Sequence, residues 1–144
     1  VGYPAADPNA IAVGASTDRG TLASYSNVGS ELNFVGPSSG GKQGIFTTDV
    51  SYAGRGFNVG RADLGGVDGL HTNDFGGTSS ATPLAAGIAA LVLSVNPRLD
   101  REELRGILRG TADKIGTGYD SNGHSRRFGY GRVNAARAVT AARP

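Results

Sequence analysis

The sequence of 144 residues contains no cysteine, which excludes disulfides, thiolate metal sites and cysteine nucleophiles, though not any one cellular compartment. It lacks charge of one sign: 14 basic residues face 12 acidic ones, and the 12 Arg and 2 Lys are spread along the chain rather than gathered in a patch. That balance offers no footprint for nucleic acid, so no nucleic-acid partner is expected. Long apolar runs are also missing. The longest, Leu84 to Leu93, is interrupted by Gly87 and too short to span a bilayer, so no membrane partner is expected. No signal-peptide pattern, initiator Met or internal repeat is visible, and the opening Val1-Gly2-Tyr3-Pro4 reads as the start of a piece of something longer. Apolar residues are few for a compact domain, at 38%, whereas glycine is abundant at 24 residues without a three-residue period. Turns and close backbone approaches are expected, and collagen is excluded.

Short apolar segments flanked by turn formers predict strands over 10–16, 22–26, 32–35 and 44–48. Residues 49–76 are rich in Gly, Asp and Asn and carry no period, which predicts a long loop. Residues 79–95 are apolar on every face, the mark of a helix in the middle of a domain, with Ala residues and Gly87 letting neighbours approach closely and Pro97 as its stop. A second helix begins at Asp100, with Glu103 as its capping-box partner and Leu104, Ile107, Leu108, Thr111 and Ala112 as its inner face. Residues 116–131 are turn-rich, and 133–142 form a last short helix. Strands followed by helices, one of them fully buried, point to an α/β layered fold.

The chemistry-bearing run is Gly76-Gly77-Thr78-Ser79-Ser80-Ala81-Thr82-Pro83, leading straight into the buried helix. A serine at a helix N-terminus lies among free backbone N–H groups and the positive end of the helix dipole, which can hold a developing oxyanion. Gly76 and Gly77 leave room for a substrate backbone, and Pro83 is placed in the first turn, where a missing N–H costs little. The plain alternative is that Ser79 only caps a core helix. A different chemistry is spelled by Gly36-Pro37-Ser38-Ser39-Gly40-Gly41-Lys42-Gln43, nearly a phosphate-binding P-loop. Gln43 replaces the magnesium-binding hydroxyl, and no helix pattern follows. Ser39-Gly40-Gly41-Lys42 also spells the Ser-x-x-Lys of penicillin-binding enzymes, but its glycines oppose the helix that motif needs.

The run Gly77-Thr78-Ser79-Ser80-Ala81-Thr82-Pro83 resembles the nucleophile signature of the subtilase family of serine proteases. Three other segments, in the right order, resemble the same family. They are Val1–Pro8 with Ile11–Ala15, Ala23–Gly29 with Glu31-Leu32-Asn33, and Phe128–Ala136. The last, with Pro83-Leu84-Ala85-Ala86-Gly87, looks closest to the kexin-like and related bacterial branches. The resemblance implies the C-terminal half of a three-layer α/β subtilisin-like fold with a mostly parallel sheet. It implies a serine endopeptidase acting on polypeptides through an Asp–His–Ser triad. Ser79 would be the nucleophile, within an oxyanion and nucleophile loop of Gly77, Thr78 and Ser79, and Gly2, Tyr3 and Pro4 would line the pocket for the residue before the cut. No cofactor is required for that chemistry. A structural calcium ion is implied at the backbone carbonyls of Ala5, Asp7 and Ala10, although Asn33 stands where the acidic partner is expected. Secretion or a cell-surface location is implied in the same way.

Departures bear on activity. The family's Asp-Ser/Thr-Gly and His-Gly-Thr motifs are absent from these residues, as is the Asn that gives a second oxyanion donor. They are expected on a missing N-terminal half of the same domain, so the chain alone is expected to be inactive. His71 and His124 lack the family context and read as loop and turn residues. Ser80 stands where many subtilisins carry Met. The acids Asp49, Asp63, Asp68 and Asp74 fit no EF-hand spacing and read as solvated. A non-catalytic, subtilase-like binding module is the rival reading, and a P-loop nucleotide-binding protein the remote one.

Overall fold

A computed structural model describes residues 1–50 and 55–144; part of the segment expected to be a long loop, 51–54, lies outside the described residues. The described strands are β1 (Ala12–Ser16), β2 (Leu32–Pro37), β3 (Ile45–Thr48) and β4 (His71–Phe75). The helices are α1 (Thr78–Val95), α2 (Arg101–Gly110) and α3 (Ala135–Ala141), with one 3-10 turn at Ala62–Leu64.

β1 and β2 form a parallel pair, Val13 opposite Phe34 and Ala15 opposite Gly36, with a register shift between Ala12 and Val13. Successive residues of a strand face opposite ways, and the core follows that rule. Phe34 joins Ala85, Ile88 and Val92 of α1, Leu104 and Leu108 of α2, and Val133, Ala138 and Ala142 around α3. Its neighbour Val35 packs with Leu32 and Phe128 in a separate cluster. The closing segment runs along the free edge of β2: Val35 N–H donates to the Gly131 carbonyl (2.9 Å), and Val133 N–H to the Val35 carbonyl (3.0 Å). β2 and α1 meet almost backbone to backbone, since a Cβ on Gly36 would lie 2.8 Å from the Ala81 carbonyl oxygen. The first turn of α1 is thereby seated on the sheet.

Three expectations need correction. No strand forms over 22–26. Leu22 makes a single bridge to Ser16, and the chain then turns back, with the Ser26 N–H on the Ala23 carbonyl (2.9 Å) and Ser26 Oγ accepting the Ala15 N–H (3.0 Å). The segment 49–76 is not a loop to its end: its last residues form β4, which pairs antiparallel with β3, Ile45 opposite Phe75 and Thr48 opposite His71. And α1 is not buried on every face. Its buried residues Ser80, Ala81, Ala85, Ile88 and Val92 form one stripe, while Ala86, Gly87, Ala90 and Leu91 are exposed. Nothing lies close to where a Gly87 side chain would be, so that glycine serves no close approach here. By length and composition alone α1 could cross a bilayer; its buried stripe packs against the sheet and α3. The capping box of α2 forms as expected, with the Glu103 N–H on Asp100 Oδ1 and the Asp100 N–H on Glu103 Oε2, both at 2.8 Å.

Candidate active site

β4 delivers the chain to α1 through two glycines. Gly77 is the N-cap, at φ +76° and ψ 176°, a left-handed conformation that favours glycine. A Cβ on Gly76 would overlap the side chain of Ser39, so a second glycine is required there too. The helix begins at Thr78, which makes Ser79 its second residue rather than its cap, and the cap makes no side-chain hydrogen bond. The plain capping role for Ser79 therefore fails. Its side chain is exposed, whereas Ser80 is turned inward and buried. The N–H groups of Thr78 and Ser79 meet no acceptor among the described residues, as expected for a first helical turn. Pro83 falls one turn later than expected, as the sixth residue of α1. Its missing N–H is the one that would have bonded the Ser79 carbonyl.

The family resemblance implies a substrate pocket at Gly2, Tyr3 and Pro4, and the structure places these residues in one cleft with the helix start. A cavity of about 330 Å³ is lined by Gly2, Tyr3, Pro4, Val13, Thr78 and Thr82 among others. Neither histidine pairs with Ser79 among the described residues. His71 lies in β4 and stacks on Phe46, ring centres 5.4 Å apart. His124 is more than a turn residue: its Nε2 is 2.8 Å from the Leu32 carbonyl, and its ring meets Tyr130 edge-on. The Pro37–Gln43 segment passes from β2 to β3 with no helix after it, so a phosphate cradle is not formed.

A calcium ion at Ala5, Asp7 and Ala10 needs a shell of six to eight oxygens. Here the Asp7 carbonyl accepts the Ala10 N–H (2.9 Å), and the Asp7 carboxylate accepts the Asn9 N–H (2.7 Å). Arg101, Arg105 and Arg109 recur every four residues along α2 and reach the surrounding oxygens. Arg101 Nη1 donates to Asn9 Oδ1 (2.6 Å), Arg105 Nη1 to the Pro8 carbonyl (2.8 Å), and Arg109 Nε to Asn33 Oδ1 (2.8 Å). Burial, and then the charge of Arg105, lowers the pKa of Arg109 below its usual value. These guanidinium groups occupy oxygens of Pro8, Asn9 and Asn33, beside the three carbonyls rather than on them, and their positive charge works against a cation there. The loop acids do not gather: no cluster of three acidic or histidine side chains suited to a metal occurs among the described residues.

Sequence reasoning missed a ring of hydroxyls behind the turn from Gly77 to Ser80. The Tyr25 hydroxyl lies 2.9 Å from Ser38 Oγ and 3.0 Å from Ser39 Oγ. Ser38 Oγ lies 2.7 Å from Ser80 Oγ and donates to the Gly77 carbonyl at 2.7 Å. The one available signal was Ser80 itself, a hydroxyl where a thioether is usual.

A sequence model of the Subtilase family matches residues 1–131. Among curated proteins, the chain is 45% identical over 141 residues to a protein from Nostoc named a calcium-dependent protease, covering 93% of this chain and 21% of that protein. It is 38% identical over 140 residues to a halolysin-like extracellular serine protease of Natrialba magadii, covering 97% of this chain and 21% of that protein. The chain thus spans about a fifth of the length of these relatives. Among solved structures, it superposes on fervidolysin from Fervidobacterium pennivorans, a keratinolytic enzyme related to subtilisin. The TM-score is 0.77 at 25% identity, over 96% of this chain and 20% of that one.

Proposed function

The chain belongs to the subtilase family, and on that premise we propose that it carries the nucleophile of a serine endopeptidase, Ser79, in a domain completed by residues outside these 144. The observation that supports this most directly is the placement of Ser79. It is an exposed serine at the second position of α1, free of hydrogen-bond partners among the described residues, beside unpaired N–H groups and a cleft that Gly2, Tyr3 and Pro4 share with Thr78 and Thr82.

In this reading a polypeptide lies across the cleft with the side chain before the cut against Gly2, Tyr3 and Pro4. Ser79 Oγ attacks the scissile carbonyl carbon while a histidine imidazole takes its proton. The carbonyl oxygen becomes an oxyanion, and the Ser79 N–H donates to it. The same imidazole then gives the proton to the leaving amine, and water repeats the sequence on the acyl-enzyme. The histidine, its orienting aspartate and a second oxyanion donor would come from the missing N-terminal half. An apolar groove of about 340 Å³ lined by Ile11, Val13, Ala86, Ala89, Ala90 and Leu93, beside the exposed face of α1, supports this reading. An exposed apolar face of this kind suits an intramolecular partner better than water. The extracellular character named for the Natrialba magadii relative supports an exported protein. Kinship with the kexin-like and related bacterial branches rests on Pro83–Gly87 and Phe128–Ala136.

The test is made on the longer protein. A fluorophosphonate probe should label Ser79, and Ser79→Ala should abolish both labelling and peptide hydrolysis. Labelling at Ser80 or Ser39 would overturn the assignment, and an unlabelled but folded protein would favour the binding-module reading. The 144-residue chain alone should show no turnover above its own Ser79→Ala variant. Loss of a triad member lowers turnover by about 10⁴–10⁶ in enzymes of this mechanism, subtilisin among them.

A further inference from the structure

Two adjacent glycines precede Ser79, and glycine is the residue least able to hold its own conformation. Something else must fix the peptide planes that aim the nucleophile. The Gly77 carbonyl accepts the Ser80 N–H (3.2 Å) and lies within reach of two hydroxyls, Ser38 Oγ (2.7 Å) and Ser80 Oγ (3.0 Å), which are themselves 2.7 Å apart, so that one donates to the carbonyl while the other donates to its neighbour. The Gly77 N–H donates to Ser39 Oγ (3.3 Å), and the Ser39 side chain fills the space where a Gly76 side chain would sit. Behind these, the Tyr25 hydroxyl donates to the Ser39 carbonyl (2.7 Å) and touches both Ser38 Oγ and Ser39 Oγ. Ser38 and Ser80 are 3% and 2% exposed, so water does not compete for their hydroxyls. The ring ties together three segments: the β1–β2 connection, the β2–β3 connection and the start of α1.

We propose that Tyr25, Ser38, Ser39 and Ser80 are positioning residues that clamp the Gly77 backbone from both sides and thereby hold Ser79 Oγ and the Ser79 N–H in attacking geometry. The inference rests on the reading of Ser79 as nucleophile. Either Ser38 or Ser80 alone can still donate to the Gly77 carbonyl, so the two should compensate for each other. Displacement of a reacting group by about 1 Å costs about 10²-fold in rate without any loss of binding contacts.

The experiment uses the longer protein, with active sites counted by the fluorophosphonate probe so that unfolded molecules are excluded. Ser38→Ala and Ser80→Ala singly should lower kcat a few-fold. The double variant should lower it by about 10- to 100-fold, more than the product of the single effects, with KM within about twofold of the parent. A residue that only stabilises the fold would lower the melting temperature and leave kcat per titrated site unchanged, and that result for the double variant overturns the clamp. Should the double variant fail to fold, Tyr25→Phe keeps the ring and removes only its hydroxyl. A fall in kcat at constant KM supports the clamp, and an unchanged kcat overturns it. Cleavage by Ser79→Ala would overturn the nucleophile reading itself, an outcome distinct from failure of the clamp in a protein that needs Ser79.

Discussion

Phe34, Val92 and Leu108 are buried in one cluster, and their side chains hold their part of the chain through apolar contact. Asn58, just as buried, lies in a segment whose apolar side chains Phe57, Val59, Val67 and Leu70 are exposed. It holds that segment by hydrogen bonds. Its Nδ2 donates to the carbonyls of Gly66 (2.8 Å) and His71 (2.9 Å), and its Oδ1 accepts from the N–H groups of Gly60 (3.0 Å) and Arg61 (2.7 Å). Every hydrogen-bonding position of the amide is used. One region is therefore a shared core and the other a local polar knot inserted between β3 and β4. Ser79 sits where the two meet, following β4 and opening α1. Burial couples distant elements, because one ring touches several of them. A knot couples only the loop it ties. The two regions should respond to damage in different ways.

The largest effect is expected in the core. Phe34→Ala removes the side chain around which α1, α2 and α3 gather and should cost about 3–5 kcal/mol, read as a lowered denaturant midpoint of the longer protein with the slope unchanged. On the proposed reading of Ser79, peptide hydrolysis should disappear with the fold. A cost below about 1 kcal/mol would show that the helices do not share one core through this residue.

The next effect separates the regions. Asn58→Ala leaves two carbonyls and two N–H groups of the insertion unpaired, and should cost about 1–3 kcal/mol locally. Amide exchange should quicken at Gly60 and Arg61 while the amides of β2 stay protected. If β2 amides lose protection to the same extent, the knot and the core are one cooperative unit and the contrast fails.

The contrast also explains what could be read from the sequence. Leu104, Ile107 and Leu108 recur at helical spacing and, with the Asp100–Glu103 box, made α2 legible; α1 was legible as a long apolar run, but its one buried stripe of Ala85, Ile88 and Val92 was not. Apolar burial leaves a period, and periods are visible in one dimension. The Ser79 motif was legible as a family signature; its glycines, read as room for a substrate backbone, are demanded by a left-handed φ at Gly77 and by the Ser39 side chain at Gly76. β4 was not legible, because His71-Thr72-Asn73-Asp74-Phe75 is polar and half-exposed and has no apolar alternation. Asn58, Ser38 and Tyr25 were hidden for the same reason: a hydrogen-bonding side chain does not announce its partner, and the Ser38–Ser80 pair spans 42 residues. The 22–26 segment misled in the opposite direction. Its short apolar opening resembled a strand, but Ser26 spends its hydroxyl on the Ala15 N–H and turns the chain.

The smallest effect is one of pH and falls on the knot alone. Asp49 accepts the N–H groups of Asn58 (2.6 Å) and Val50 (2.8 Å). These bonds, the one from Asn58 first, hold its carboxyl below the usual carboxylate pKa. In the unfolded chain the same group titrates near about 3.9. Because the folded value is the lower one, the ionised carboxylate stabilises the knot fully above the unfolded pKa. That contribution is lost as pH falls from there through the folded value. The Asn58 amide chemical shift should therefore move as pH is lowered below about 4, while β2 amides, with no such partner, stay in place. Asp63 lies in the same segment, and its pKa is lowered chiefly by its bond to Arg61, so it titrates in an overlapping window. The two are told apart by substitution. Asp49→Asn should flatten the Asn58 titration, and Asp63→Asn should leave it unchanged. A titration of Asn58 that survives in Asp49→Asn would mean that the acid response belongs to the Arg61–Asp63 pair, and that the carboxylate of Asp49 does not tie the knot.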